Sequence, residues 1–169
     1  MAKQKSHSGL DQRNDRIVID RAGTMTPVVA AVQLVAHYKN LNVTYADLDG
    51  PLVPTIAYRR IYCSGFWPII RFLNRIRPYP CIHPLDPDDQ TMHDSQCEIV
   101  LVDSRAIDVF YARYADPKTE TQYLGLQGRA PDLLDFVIAS YAYTSLVSQH
   151  EWLRWLLDEL EVQRHEDYA

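Results

Sequence analysis

The sequence lacks most of the signatures by which a chain declares its chemistry. There is no Walker loop and no GxSxG elbow, so neither a glycine-rich phosphate cradle nor a serine nucleophile on a strand-to-helix turn can be read from it. Only three cysteines occur, Cys63, Cys81 and Cys97, widely spaced and without a CxxC pair. They give no redox dithiol and no metal site, and a reducing cytoplasm suits them. No apolar run reaches the roughly 18 residues of a membrane span. The opening MAKQKSHSGLDQRND lacks the apolar core of a signal peptide and reads as a disordered polar arm, residues 1–15. Positive charge is short as well: 17 Lys and Arg against 22 Asp and Glu leave a net charge of -5. That argues against a protein that coats nucleic acid, because neutralising phosphates takes clustered cations.

What is present suits a soluble globular protein. Of 169 residues, 47% are hydrophobic and 23% charged, enough to bury a core in one domain or two small ones. The run Arg16-Ile17-Val18-Ile19-Asp20 is β-branched and stops at Ala22-Gly23, which predicts a first strand. Pro27 opens a helical pattern over 28–39, in which Val28, Val32, Leu34, Val35 and Tyr38 share a face and Asn40 supplies the stop. Residues 42–48 alternate as a second strand would, and a turn at Asp49-Gly50-Pro51 follows. A third strand is expected over 53–58, and Arg59-Arg60 turns the chain into a fourth over 61–63. Ser64 is positioned to cap the next helix, with Pro68 near its first turn and Ile69, Ile70, Leu73 and Ile76 as its buried stripe. Arg77-Pro78-Tyr79-Pro80 ends it.

Beyond a linker near 78–87 the pattern becomes wholly helical. Asp86, Asp88 and Asp89 gather at a helix start, where the dipole favours carboxylates. One long helix is predicted from there to Tyr114, then a loop over 116–129. An almost entirely apolar central helix over 132–147 and an amphipathic one over 151–163 follow, the latter with Trp152, Trp155, Leu156 and Leu160 on one side. His37 reads as an ordinary helix histidine. His83 and His93 lie near Asp86, Asp88, Asp89 and Asp94 but fit no recognised ligand spacing, so no metal is expected. Cys63 and Cys97 read as small core residues, and Tyr141, Tyr143, Trp152 and Trp155 as a core aromatic stripe.

The element order is βαβ, then ββα, then helices, and it carries short motifs. Val53-Pro54-Thr55-Ile56 is similar to the Val-Pro-Thr-Leu of the glutathione transferase superfamily, in which the proline is cis and opens the third strand. Asp132-Leu133-Leu134-Asp135-Phe136 resembles that superfamily's capping box on the central helix of the second domain. The closer resemblance is to the bacterial stringent starvation protein A family. Residues 72–84, FLNRIRPYPCIHP, lie without a gap on that family's Tyr-Leu-Asp-Glu-Arg-Phe-Pro-His-Pro-Pro-Leu-Met-Pro. Pro78-Tyr79-Pro80 thus falls on the Pro-His-Pro of its surface pocket. Val32-Gln33-Leu34-Val35 and Lys39 fall on its first helix. The resemblance implies an α/β plus all-α fold: a thioredoxin-like domain at 16–80, shortened and with its second helix largely missing, then a small helical domain at 81–169.

It also implies that transferase chemistry is absent. Gly65-Phe66 falls where the superfamily holds the γ-glutamyl end of glutathione with Glu/Asp-Ser, and Ser64 is one residue out of register. Asp49-Gly50-Pro51-Leu52 is too short a connection for the second helix that lines the glutathione site. After the first strand, only threonine hydroxyls are on offer. No catalytic residue and no cofactor is therefore expected. What remains is recognition: Arg59, Arg60, Arg71, Arg75 and Arg77 concentrate positive charge around the helix after the fourth strand. Arginine meets carboxylates or phosphates bidentately, and Pro78-Tyr79-Pro80 adds a rigid aromatic anchor. The resemblance names bacterial RNA polymerase or a sigma factor as the partner, a homodimer as the assembly, and no direct nucleic-acid or membrane binding. A thiol-dependent transferase or reductase of the same fold, and a structural subunit of a larger assembly, are the alternatives.

Overall fold

The computed structural model describes residues 16–21, 25–47 and 53–162. The polar arm at 1–15, the Ala22-Gly23 turn and the Asp49-Gly50-Pro51-Leu52 connection lie outside these residues, as do positions 163–169. Four short strands form one sheet in the order β2-β1-β3-β4, with β1 Ile17–Asp20, β2 Val43–Ala46, β3 Thr55–Tyr58 and β4 Ile61–Ser64. β1 and β2 are parallel, whereas β3 pairs antiparallel with both β1 and β4. A parallel pair needs a crossover, and α1 (Pro27–Tyr38) supplies it. The Thr26 hydroxyl accepts from the Val29 amide, Pro27 occupies the first turn, and Asn40, at φ 54, takes the left-handed position past the end.

Almost every face of α1 is covered. Val29, Ala30, Ala31, Val32, Leu34, Val35, Ala36 and Tyr38 are all buried, as a helix between two layers must be. One side meets α2 (Phe66–Ile76), and another meets α5 (Leu133–Ala139), the 3-10 turn Ser140–Tyr143 and α6 (Glu151–Val162). One continuous core results, running from Ile17, Ile19 and Ile56 of the sheet through α1 to Phe136, Leu153 and Leu160. Ile69, Ile70 and Leu73 of α2 are buried in it as the spacing predicts, together with Phe66 and Phe72, while Ile76 is only partly covered.

Several elements depart from the sequence expectation. The resemblance places a cis proline at Val53-Pro54, but among the described residues the cis bond is Tyr79-Pro80. Ser64 does not cap α2. It stays in β4, where its hydroxyl pairs with that of Thr55 at 2.9 Å, and Gly65 takes the cap position. The Gly65 amide extends the hairpin by donating to the Pro54 carbonyl at 2.9 Å. Its φ of 96 is one that only glycine adopts without strain. The long helix is broken: α3 (Pro87–Val102) stops at Asp103, which is extended. The Asp103 carboxylate accepts from the Arg105 amide at 3.0 Å, a local turn that restarts the chain as α4 (Ala106–Phe110).

The central helix is likewise shorter than its apolar composition predicts. α5 ends at Ala139 and gives way to the 3-10 turns Ser140–Tyr143 and Ser145–Ser148. The hydroxyls of Ser140 and Thr144 bond back to the carbonyls of Val137 and Tyr141, both at 2.6 Å, and such back-bonding competes with the helical ladder. On α6, Trp152 is buried but Trp155 turns outward, 46% exposed. Among the described residues, no helix is long and apolar enough to cross a membrane.

Candidate functional site

The segment from α2 to α3 is held against the end of α1 by a reciprocal pair of cations. Lys39 is fully buried, and its ammonium donates to the carbonyls of Arg77 and Pro80, each at 2.8 Å. Arg77 returns the contact: its Nη1 donates to the carbonyls of Lys39 at 2.9 Å and Asn40 at 2.8 Å. Those carbonyls belong to the end of α1, where helices leave acceptors unfilled. Burial pushes the Lys39 pKa down to about 8; Cys81 opposes the shift and the Arg77 charge adds to it. Arg77, expected on the recognition face, is instead half-buried and ties loop to helix. Pro78 and Tyr79 project from the clamped loop, Tyr79 with 68% of its surface exposed, while Pro80 is half-buried.

Around this loop the other arginines separate into two sets. Arg71 and Arg75 are exposed one turn apart on α2, and neither has a hydrogen-bond or ion-pair partner among the described residues. Arg59 and Arg60 are exposed in the β3–β4 turn, where the Arg59 guanidinium lies 5.2 Å from the Tyr58 ring. Tyr58 in turn packs on Phe72 with ring centroids 5.6 Å apart. This draws the turn alongside the middle of α2.

Between α2, the loop and α3 lies a cleft of about 380 Å³ lined by Trp67, Ile70, Arg71, Asn74, Pro78, Cys81, His83, Gln90 and Asp94. The Trp67 indole closes one end by donating to Glu98 at 2.8 Å. Asn74 fixes the His83 ring through Nδ1 at 3.0 Å, leaving Nε2 3.7 Å from Asp94. Burial pushes the His83 pKa down against the pull of Asp94. The Cys81 thiol is exposed and donates to the His83 carbonyl.

Behind the cleft stands a buried ionic network that spacing alone does not reveal. Asp132 and Asp135 form a reciprocal capping box at the start of α5. The Asp135 carboxylate, wholly buried, also accepts from Arg129 at 2.8 and 3.1 Å and from the Tyr114 hydroxyl at 2.6 Å. Burial alone would raise its pKa, but Arg129 and Arg113, with Tyr114, hold it below the usual carboxylate range. Asp132 pairs with Arg113 at 2.9 Å, and His93 reaches toward it with Nδ1 at 4.0 Å. His93 is buried, and its Nε2 has no hydrogen-bond partner among the described residues. Among the described residues, no group of three His, Cys, Asp or Glu side chains could hold a metal ion.

No protein-family model and no curated sequence matches the chain. Solved structures do. A glutathione transferase homolog from Burkholderia, with bound glutathione, aligns over 88% of this chain and 97% of its own at TM-score 0.57 and 15% identity. Glutathione transferase Omega 3C from Trametes versicolor aligns over 94% and 88% at TM-score 0.60 and 16% identity. Maleylacetoacetate isomerase from Anaeromyxobacter dehalogenans, with dicarboxyethyl glutathione and citrate in its active site, aligns over 86% and 90% at TM-score 0.59 and 13% identity. The fold is that of the glutathione transferases.

At and beside the positions that the resemblance compares with the glutathione site, the described side chains are engaged within the chain. The Ser64 hydroxyl is paired with Thr55, Phe66 is buried, and the Thr26 hydroxyl caps α1. Burial raises the thiol pKa of Cys63 and, further, of Cys97, the wrong direction for a nucleophile. Tyr141 and Trp152 are core residues, as the aromatic pattern suggests. Tyr143 and Trp155 are exposed, and Tyr143 borders a second hollow with Gln33, His37, Tyr45 and Glu161.

Two outcomes test this geometry. Lys39→Met, which keeps the bulk but removes the ammonium, is expected to lower stability by about 2–3 kcal/mol in urea unfolding, because two carbonyls lose a charged donor. Unchanged stability would mean that water serves them equally well. Burial also holds His93 and His83 below the ordinary histidine pKa of 6.5. The unfolded chain then binds protons that the folded chain does not, so stability is full above about pH 6.5 and falls as the pH drops below it. His93→Gln is expected to flatten that slope between pH 7 and 5.5, and an unaltered slope would assign it to other groups.

Proposed function

We propose that this protein is a non-catalytic binding module of the glutathione transferase fold that associates with bacterial RNA polymerase, or with a sigma factor bound to it, and regulates transcription. The observation that carries the reading is the clamped loop: Tyr79 stands 68% exposed on a backbone fixed by Lys39 and Arg77. Beside it, Arg71 and Arg75 have no acidic partner among the described residues. A pre-fixed aromatic next to free guanidinium groups suits an acidic protein surface, since less order must be imposed on binding. The likeness of residues 72–84 to the stringent starvation protein A family names the partner. Arg59 and Arg60 extend the face, and Arg77 acts through the loop. A cytoplasmic location accords with three free cysteines.

A homodimer fits the same reading. Met92, Ile99 and Val102 stand exposed on α3 at spacings of seven and three, an apolar stripe of the kind that helices pair through. A second reading, glutathione-dependent transfer, is favoured by the glutathione bound in the Burkholderia structure of the same fold.

Tagged protein drawn from a bacterial lysate is expected to bring down polymerase subunits, identified by mass. Tyr79→Ala or an Arg60→Glu/Arg75→Glu pair should reduce their recovery by about tenfold or more, as a hot-spot loss does. Recovery without polymerase, joined to a melting temperature raised by glutathione, would replace this reading with the transferase one. Separately, sedimentation should find a dimer that Ile99→Glu converts to a monomer; a wild-type monomer would end the dimer proposal.

A further inference from the structure

We propose that the cleft between α2 and α3 binds a small zwitterion of the amino-acid or short-peptide class, its carboxylate on Arg71 and its ammonium on Asp94. The two side chains line the same cleft yet form no ion pair with one another within 4.0 Å. Neither has a hydrogen-bond partner among the described residues. An arginine without a partner among the described residues and a carboxylate met only by the His83 ring at 3.7 Å form a site for a ligand carrying the two complementary charges.

The carboxylate is the stronger half of the argument. Asp94 Oδ1 is buried with no hydrogen bond among the described residues, a state that costs free energy, while the side chain as a whole is 44% exposed and open to a ligand. The nearest base, His83 Nε2, stands 3.7 Å away, beyond a good hydrogen bond. Since an amide nitrogen can only donate, Asn74 makes His83 Nδ1 the acceptor and leaves the ring proton on Nε2. The ring in that state is neutral, so it does not cancel the Asp94 charge. Arg71 supplies the opposite pole as a fork suited to a carboxylate.

The remaining lining sets the size and character of the ligand. Trp67, Ile70 and Pro78 give an apolar wall, while Asn74 and Gln90 offer amides for a peptide group. A volume of about 380 Å³ lies at the small end of ligand pockets. Trp67 is held in place by Glu98 and Pro78 by the clamped loop, so the walls are largely pre-formed. An apolar amino acid or a dipeptide built from one has the matching charges and bulk.

The test uses the intact protein with L-leucine, L-leucyl-L-leucine and the N-acetylated and C-amidated forms of the dipeptide, followed by titration calorimetry and amide chemical shifts. Saturable binding of leucine or the dipeptide is expected, with shifts confined to residues 67–74 and 78–94. The tighter of the two identifies a free amino acid or a peptide as the source of the zwitterion. Each cap should weaken the dipeptide by about tenfold in the wild type. The N-acetyl penalty should vanish in Asp94→Asn, and the amide penalty in Arg71→Gln. No saturable binding, indifference to the caps, or binding that survives both substitutions would overturn the proposal. No polymerase is present in this experiment, so its failure leaves the reading of the Tyr79 loop untouched, and the reverse also holds.

Discussion

The ammonium of Lys39 sits where no water reaches it, and much of the local architecture follows from that constraint. A charge in such a place must be met by acceptors that do not move. The acceptors are carbonyls of the segment that leaves α2, at Arg77 and Pro80. The end of α1 and the start of the proline loop therefore cannot be placed independently. Arg77, bonded back to the last carbonyls of α1, closes the arrangement into a ring of four hydrogen bonds. Tyr79 projects from a rigid base because of it, and one wall of the α2–α3 cleft is fixed by the same bonds.

A second set of charges plays a comparable part on the helical side. Asp135 begins as half of a capping box, a local device. Burial then brings Arg129, Tyr114 and Arg113 onto it. Removing Arg129 would leave the buried carboxylate with Arg113, at 3.4 Å, as its cation, a weaker match in a low-dielectric interior. His93 lies at its edge with an unfilled nitrogen, and there the network responds to pH. The fold thus carries two ionic centres, one at the end of α1 and one at the start of α5.

Periodicity made most of the fold legible. The β-branched run at 17–20, the proline-opened helix with Asn40 at its end, the hairpin turned by Arg59-Arg60 and the amphipathic last helix all follow from spacing and turn chemistry. What spacing could not show were events decided by a single side chain or by tertiary contact. Asp103 breaks a helix by bonding its own neighbourhood, and Ser140 and Thr144 shorten another in the same way. Gly65 displaces Ser64 as the start of α2 because its backbone finishes the hairpin. In the candidate site, the exposed Tyr79, Arg71 and Arg75 are visible in sequence as types. The inward turn of Arg77 depends on a lysine 38 residues away, and Tyr114 and Arg113 meet Asp135 across 21 and 22 residues. No one-dimensional pattern encodes either.

The position of α1 has a consequence for how the molecule comes apart. The same helix is the floor of the sheet and the centre of the helical layer, so neither layer has a complete interior without it. Melting the helical layer alone would lay bare Val32, Val35 and Tyr38, and melting the sheet alone would strip the opposite side. Two layers that share one buried element unfold as a single cooperative unit. A substitution that loosens α1 is therefore felt in both layers.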